Sequence, residues 1–413
     1  MPYGKKFIDF QIQNDGPSKI INEIETKEPI CLSNDLEKFL DSLNHPISSF
    51  PLDKLLKSIN NSICIVIDDF TRKYPPNKFL EALIEYIQKN IAKSVKIKII
   101  IASGTHPPPN ASEIKKNLGK LADLYGIYTN DQTRSIFVHI GTTSYGTPVE
   151  INEEYINSEF KILFTDVTLH YFAGFGGDRK SIHPGLASIR TTNHNHSMVI
   201  QGKSAPGKLD GNPIHEDMLE AAKLARADFV INMCFNSNNE LFAIYSGALN
   251  SAFIKACSEY LDRYSVHIQG EADLLLISPG GFPYDLNLYQ SQKTLIQCNS
   301  CVKKGAPIIF FNEASGGIGN LIFETWNALY KNEKDIIEAI HTHFEQGANN
   351  VLNQINFTTR NQIFIYTELA KDKVEHFGMK KIENLDDMVN ILSKDAKKIY
   401  IIKHGSKIMI ENR

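Results

Sequence analysis

Histidine and lysine side chains, which can move protons and form covalent bonds, are concentrated in a few polar segments of this chain. His106 ends a Ser-Gly-Thr-His segment after an apolar run, and His170 begins a glycine-rich stretch that contains Lys180. Histidine suits general acid–base catalysis because its ordinary pKa lies near neutrality. A lysine whose pKa is lowered by burial becomes a nucleophilic amine and can anchor a cofactor covalently. These segments indicate an enzyme.

Two further segments carry groups that suit an anionic ligand. Asp69 and Arg72 belong to Asp-Asp-Phe-Thr-Arg, and arginine can bind a carboxylate or phosphate through two parallel hydrogen bonds. Tyr289 and Lys293 are four residues apart and so share one face of a helix whose N-terminus favours anions. The plainer alternatives are an Asp helix cap with a surface arginine, and an ordinary amphipathic helix start.

The glycine-rich stretch and the histidines after it suggest a cofactor and a metal. Gly176 and Gly177 would let backbone amides approach an anion next to Ser181, near a helix start. His194 and His196 lie in a dense polar run and are candidate metal ligands, although a His-x-His pair is common on surfaces. Without further ligands, the sequence leaves both interpretations open.

Composition excludes several classes of protein. The chain has 413 residues and a net charge of −3, so no basic excess indicates nucleic-acid binding. The apolar runs are of strand length and too short to span a membrane, and the N-terminus does not resemble a signal peptide. Six cysteines are too few for a disulfide framework in a chain of this size. We therefore expect a cytoplasmic protein.

Apolar, β-branched runs alternate with helical patterns, which predicts an α/β fold with mainly parallel sheets flanked by helices. We expect two domains, 1–268 and 269–413, with the active site in the cleft between them. A helix is predicted from about 289 to 303. The strands are predicted at 62–68, 95–102, 136–140, 161–167, 228–233, 272–278, 307–311, 362–366 and 398–402.

Six motifs occur in an order that resembles the lactate racemase family, whose enzymes carry a nickel-pincer nucleotide. The motifs are DDFTR, SGTH, the His170-to-Lys180 spacing with GFGGDRKSIHPG, a histidine sixteen residues after Lys180, GNPIHED and YDLNLYQSQK. A single motif of this kind is weak evidence, whereas six in order are strong.

The resemblance implies a cofactor, pyridinium-3-thioamide-5-thiocarboxylic acid mononucleotide, tethered to Lys180. Nickel would be held by this cofactor and by His196. Imidazole and sulfur ligands are both compatible with nickel. The other cofactor-binding residues that we expect are Asp69, Thr71, Gly176, Gly177 and Ser181.

The resemblance also implies the reaction, which is racemisation or epimerisation of a small anionic 2-hydroxy acid. His106 and His170 would be the acid–base pair, while hydride passes reversibly from substrate C2 to the cofactor. The expected substrate-binding residues are Arg72, Tyr289, Gln290 and Lys293. No nucleic acid or membrane partner is expected, and the sequence does not indicate the oligomeric state.

Two other functions remain open at this stage. One is a divalent-metal hydrolase or lyase that uses His183, His194 and His196 without an organic cofactor. The other is a non-catalytic relative that binds a carboxylate or a nucleotide. The substrate is also open between lactate and a larger or more polar acid, because 347–350 lacks the aromatic residue that closes the pocket in lactate-using members.

Overall fold

The computed structural model describes residues 1–12, 19–26, 28–70, 77–236 and 238–412. It divides into a first unit, residues 28–263, and a second unit, residues 1–27 and 264–413. The predicted boundary at 268/269 placed the whole N-terminal segment in the first domain, whereas the structure assigns 1–27 to the second unit. The reason is strand pairing, since Ile20–Ile24 runs parallel to Lys398–Ile402.

The first unit is built on a six-stranded sheet that confirms the predicted α/β architecture. Its strands are parallel except for one edge strand, Leu241–Gly247, which pairs antiparallel with its neighbour. In spatial order the strands are Leu241–Gly247, Phe229–Phe235, Phe160–Asp166, Ser62–Asp68, Lys96–Ala102 and Gly126–Thr129. The predicted strand 136–140 is instead part of an antiparallel hairpin, Phe137–Thr142 with Pro148–Asn152, outside this sheet.

Helices cover both faces of the sheet, which explains the unbroken apolar runs in its central strands. Ile63, Ile65 and Ile67 pack into one core, while Cys64 and Val66 pack into another on the opposite face. The helices of this unit are Asp35–Asn44, Leu52–Leu56, Asn77–Asn90, Ala111–Leu118, Leu121–Leu124, Glu153–Ile156, Ile189–Ser197, Pro213–Ala225 and Ser251–Tyr264, the last residue of which begins the second unit.

The second unit contains a six-stranded sheet in which every neighbouring pair is parallel. The spatial order is Lys380–Lys381, Ile363–Tyr366, Ile308–Phe311, Leu274–Ile277, Lys398–Ile402 and Ile20–Ile24. The predicted continuous helix from 289 to 303 is divided into shorter turns. The helices are Leu288–Ser291, Lys293–Gln297, Leu321–Leu329, Glu333–Thr342, Ala348–Arg360, Lys371–His376 and Leu385–Ser393.

The N-terminal hairpin, Pro2–Tyr3 with Lys6–Phe7, is hydrogen-bonded to the rest of the second unit just past the end of strand Leu274–Ile277. The Gly4 amide donates to the carboxylate of Asp285 at 2.6 Å, and the Ser278 hydroxyl donates to the Pro2 carbonyl at 2.7 Å. These bonds join positions about 280 residues apart in the chain, which no local sequence pattern reveals. None of the helices described is long and apolar enough to cross a membrane.

A candidate active site at the strand ends of the first unit

Two consecutive aspartates, the last residue of the central strand Ser62–Asp68 and the one after it, hold the neighbouring loops. Asp68 accepts hydrogen bonds from the Ser181 hydroxyl at 2.9 Å and from the Asp166 amide at 3.2 Å. Asp69 is 7% exposed, and its Oδ2 lies 2.6 Å from Nδ1 of the partly exposed His106. A carboxylate accepts from the Nδ1–H form of imidazole, which leaves Nε2 as the nitrogen with a lone pair. Asp69, which we expected to bind cofactor, therefore orients a candidate catalytic base.

The loop that carries His106 is fixed by backbone hydrogen bonds. Gly104 has a positive φ of 60°, a conformation that glycine adopts without strain. Its amide donates to the Gly185 carbonyl at 2.9 Å, and its own carbonyl accepts from the side-chain amides of Asn130 and Gln132. The His106 loop is thereby attached to the turn that follows Lys180.

His170, His196 and Lys180 all surround one aromatic ring. The ring centre of Phe172 lies 4.5 Å from that of His170 and 4.8 Å from that of His196. The Nζ of Lys180 lies 5.9 Å from the same ring centre. Three residues that are separated by as much as 26 positions in the chain are thus brought to one place.

His170 differs from His106 in the nitrogen that carries its proton. The backbone amide of Ala173 donates to His170 Nδ1 at 3.2 Å. A nitrogen that accepts a hydrogen bond is unprotonated, so the neutral ring carries its proton on Nε2. His170 therefore presents an Nε2–H donor, while His106 presents an Nε2 acceptor.

The glycine-rich turn before Lys180 is shaped by a buried arginine. The guanidinium of Arg179 donates to the carbonyls of Ala173, Phe175 and Gly177 at 2.8, 3.0 and 3.3 Å. It also lies 4.4 Å from the ring centre of Phe253. Arg179 thus binds the segment from Ala173 to Gly177 to the turn that carries Lys180, a role that sequence reasoning missed.

Close packing, more than anion binding, explains the two predicted glycines in this turn. The Gly176 amide donates to the Thr168 carbonyl at 2.7 Å, so it is engaged within the protein and is not directed at an anion. Gly177 has a φ of 82°, and a Cβ there would lie 2.9 Å from the Asp166 carbonyl oxygen. A side chain at 177 would disturb the end of a central strand.

His196 is held in one tautomer by a relay of buried side chains. The Asn195 amide nitrogen donates to Asp217 Oδ2 at 2.7 Å and to the Ile214 carbonyl at 3.0 Å. The Asn195 oxygen is therefore directed to His196 Nδ1, 3.1 Å away, which must carry a proton to donate. Burial, together with charges at His183 and Lys180, lowers the pKa of His196 well below its usual range. The ring is neutral with its lone pair on Nε2, the form that binds metals.

The alternative cluster of His183, His194 and His196 is not assembled as a metal site. His183 is buried with Nε2 3.8 Å from Asp217 Oδ2, while the exposed His194 has Nδ1 2.8 Å from the Thr147 hydroxyl. Throughout the described ranges, no group of three or more His, Cys, Asp or Glu side chains is arranged to hold a metal ion. The structure does not support a hydrolase or lyase built on these histidines.

Three of the four predicted substrate-binding residues lie together in the second unit. The Lys293 ammonium donates to the side-chain oxygen of Gln290 at 2.8 Å and lies 4.8 Å from the ring centre of Tyr289. Burial raises the pKa of Tyr289 to about 12. The fourth, Arg72, and the predicted cofactor-binding Thr71 lie outside the described residues.

This arrangement is typical of an α/β enzyme, because it places histidines and a lysine-bearing turn near the carboxyl ends of parallel strands, where such folds bind ligands. Residues 3–207 match the family model of the lactate racemase N-terminal domain, and residues 268–410 match that of the lactate racemase C-terminal domain. The chain belongs to the lactate racemase family, as its motifs predicted, and it is an isomerase.

Named relatives agree with this assignment. The chain is 31% identical to the lactate racemase of Thermoanaerobacterium thermosaccharolyticum over 82% of its own length and 80% of the relative's. It is 29% identical to the lactate racemase of Lactiplantibacillus plantarum over 77% and 75% of the two chains.

Solved structures show the same fold. The lactate racemase apoprotein from T. thermosaccharolyticum superposes with a TM-score of 0.89 at 26% identity, covering 99% of both chains. A protein from Thermotoga maritima superposes with a TM-score of 0.69 at 17% identity, covering 94% of this chain and all of that one. The second likeness concerns the fold alone.

Proposed function

We propose that this protein racemises or epimerises a 2-hydroxy acid, of which the lactate named for its relatives is the simplest. The observation that carries the proposal is the convergence of His170, His196 and Lys180 on Phe172. Together with the His106–Asp69 pair, the convergence supplies two acid–base groups, a neutral imidazole ligand and a covalent anchor in one unit.

The residues present fit a nickel-pincer nucleotide. Lys180 would tether it, and His196, which the Asn195 relay holds neutral with its lone pair on Nε2, would bind the nickel. Asp69, Thr71 and Ser181 complete the expected cofactor-binding set, with Gly176 and Gly177 shaping the turn. When bound, this group supplies the hydride acceptor for the C2 hydrogen of the substrate.

The chain's own residues handle the proton of the substrate hydroxyl. His106, with its Nδ1–H donated to Asp69, takes this proton on Nε2, and the carboxylate stabilises the imidazolium that forms. His170 presents an Nε2–H to the substrate oxygen. Arg72 and Lys293 bind the substrate carboxylate, with Tyr289 and Gln290 beside the lysine. His170 acts as an acid only as the imidazolium, because a neutral imidazole that lost its Nε2 proton would be left as an imidazolate; a neutral base for one enantiomer and an imidazolium acid for the other are what interconversion requires.

A cytoplasmic location completes the proposal. All six cysteines are free thiols, which is typical of proteins in a reducing compartment.

Intact-mass spectrometry tests the cofactor assignment. Protein produced together with the cofactor-synthesis pathway should carry an added mass that peptide mapping places on Lys180. Lys180→Arg keeps the positive charge but removes the nucleophilic amine, so it should show no added mass. Unmodified wild-type protein from a host that demonstrably loads another family member would refute the tether.

Isotope labelling tests the reaction. Racemisation of lactate by the loaded enzyme in D₂O should leave the C2 hydrogen largely unexchanged, because neither His106 nor His170 receives it. Extensive deuterium at C2 at equilibrium would instead show that an imidazole carries the C2 proton, and the protein would then be a two-base racemase.

A further inference from the structure

The second unit contains a buried amide that has no partner within the described residues. Asn350 lies in the first turn of helix Ala348–Arg360 and is fully buried. Neither the nitrogen nor the oxygen of its side chain reaches hydrogen-bonding geometry with any described group. Leaving a buried polar atom unpaired costs about 1–3 kcal/mol, so native proteins pair such atoms with water or a ligand.

This amide lies next to the predicted substrate-binding residues. The Asn350 side chain faces the Tyr289 hydroxyl without meeting the geometry of a full hydrogen bond, and this contact opposes the rise in the tyrosine's pKa that burial causes. The ring of Tyr289 is in turn 4.8 Å from the Lys293 ammonium. The unpaired amide is therefore separated from the proposed carboxylate-binding lysine by one aromatic side chain.

A second unpaired amide occurs one helical turn after Tyr289. Gln292 is fully buried, and both polar atoms of its side chain are without a described partner. It follows Tyr289 by three residues and has helical backbone angles, so its side chain lies on the same face as that of Tyr289. Two side-chain amides without described hydrogen-bond partners thus belong to the surroundings of Tyr289.

We propose that Asn350 and Gln292, with the Tyr289 hydroxyl, form a polar subsite for a second hydrogen-bonding group on the substrate. The proposal rests on the proposed function, because Lys293 must hold the carboxylate for the subsite to meet the neighbouring carbon. The substrate class is then a 2-hydroxy acid with a hydroxyl or similar polar group at C3, in place of the bare methyl of lactate.

Three acids of nearly matched size test the subsite. Glycerate carries a C3 hydroxyl, 2-hydroxybutyrate replaces that hydroxyl with a methyl, and lactate has neither. Sites built to hydrogen-bond a hydroxyl reject analogues that lack it. The loaded wild-type enzyme should therefore racemise glycerate with a kcat/KM at least about tenfold above that for 2-hydroxybutyrate.

Asn350→Leu is the decisive variant because leucine has nearly the shape of asparagine but forms no hydrogen bond. It should fold, since replacing an unpaired buried amide by an apolar isostere is close to neutral or stabilising. Its preference for glycerate over 2-hydroxybutyrate should fall by about tenfold or more. Gln292→Leu should lower the same ratio. Asn327→Leu is the matched control, because Asn327 is buried in the same unit and already donates to the Phe323 carbonyl.

The outcomes separate this subsite from the proposed function. A wild-type enzyme that racemises 2-hydroxybutyrate as well as glycerate, or an unchanged ratio in Asn350→Leu, would overturn the subsite and leave the racemase intact. If no acid is racemised, the proposed function fails, and calorimetric binding of the three acids to the loaded protein decides the subsite separately. Equal affinities for glycerate and 2-hydroxybutyrate would then refute it, and tighter binding of glycerate that Asn350→Leu abolishes would support it.

Discussion

The Nδ1 of His106 lies 2.6 Å from the buried carboxylate of Asp69, although the two residues belong to different strand-end loops. The pairing joins the ends of two adjacent parallel strands, Ser62–Asp68 and Lys96–Ala102. The parallel register of these strands is what places an aspartate and a histidine 37 positions apart within one hydrogen bond.

Asp69→Asn should lower kcat for racemisation by about 10²-fold or more, within the range that general acid–base groups contribute. The amide can satisfy His106 Nδ1 in either orientation, so it no longer enforces the tautomer that leaves Nε2 basic. Asp41→Asn is a matched control, because Asp41 pairs with His45 at 2.9 Å in an exposed position. Wild-type kcat in Asp69→Asn with loaded cofactor would show that this pair does not orient a catalytic base.

The two proposed catalytic histidines should differ in tautomer. Nitrogen-15 NMR of the cofactor-free protein at neutral pH or above should show His106 protonated on Nδ1, towards Asp69, and neutral His170 protonated on Nε2. Asp69→Asn should disturb only the first of these signals. Finding His170 protonated on Nδ1 would contradict the bond from the Ala173 amide and the donor role that we assign to His170.

The strand-end location of the site could be predicted from sequence because it depends on local patterns. The run SICIVID reads as a buried strand that ends in carboxylates, and the structure places the strand at Ser62–Asp68 as predicted. The Gly-Thr-His segment likewise comes directly after the next predicted strand. Parallel strands place their carboxyl ends at one edge of the sheet, so the two segments are expected to lie close together.

The groups that orient the site could not be predicted, because their contacts depend on how the chain packs in three dimensions. Asn195 could be read only as one polar residue in Asn-His-Asn-His, and its bond to Asp217 depends on the packing of two helices. Arg179 directly precedes Lys180 in the glycine-rich stretch, and only the structure shows its guanidinium inside the turn. The grouping of 1–27 with the second unit similarly depends on pairing with the last strand of its sheet.

The Asn195 relay makes a prediction about the tautomer of His196. Asn195→Leu removes the acceptor for His196 Nδ1–H, so nitrogen-15 NMR of the cofactor-free protein should show a mixture of tautomers in place of one. Thr147→Val is the control, because the Thr147 hydroxyl also donates to Asp217 but does not contact His196. Both variants should lose stability, and only the first should change the His196 signals. An unchanged tautomer in Asn195→Leu would exclude the relay.

His196→Ala should lose nickel from the loaded protein while the added mass on Lys180 remains, because the ligand and the tether are separate residues. Elemental analysis and intact-mass spectrometry of one sample measure both quantities. His194→Ala should keep its nickel, since His194 is exposed and its Nδ1 interacts with Thr147. Full nickel content in His196→Ala, with loss in His194→Ala, would transfer the ligand role to His194.

Asp178 gives the protein a pH dependence of stability that is unrelated to its catalytic groups. Burial raises the pKa of Asp178 to about 6, although the neighbouring Arg179 opposes the rise. An unfolded chain releases this proton near pH 4. Between about pH 4 and 6 the folded protein therefore holds more protons than the unfolded chain, and its stability falls as pH rises through this window.

Asp178→Asn should remove that dependence, since asparagine does not ionise and tolerates the positive φ of 52° at this position. The thermal midpoint of the wild type, measured relative to that of the variant, should fall as pH rises from about 4 to 6.5. The change corresponds to roughly 2–3 kcal/mol if the full shift in pKa is realised. The variant's amide faces the Asn232 side chain, whose nitrogen donates to Asp178, and the resulting loss of stability is the same at every pH. The quantity to measure is therefore how the difference in thermal midpoint between the wild type and the variant changes with pH. A difference that does not vary with pH would show that Asp178 ionises normally in the folded protein.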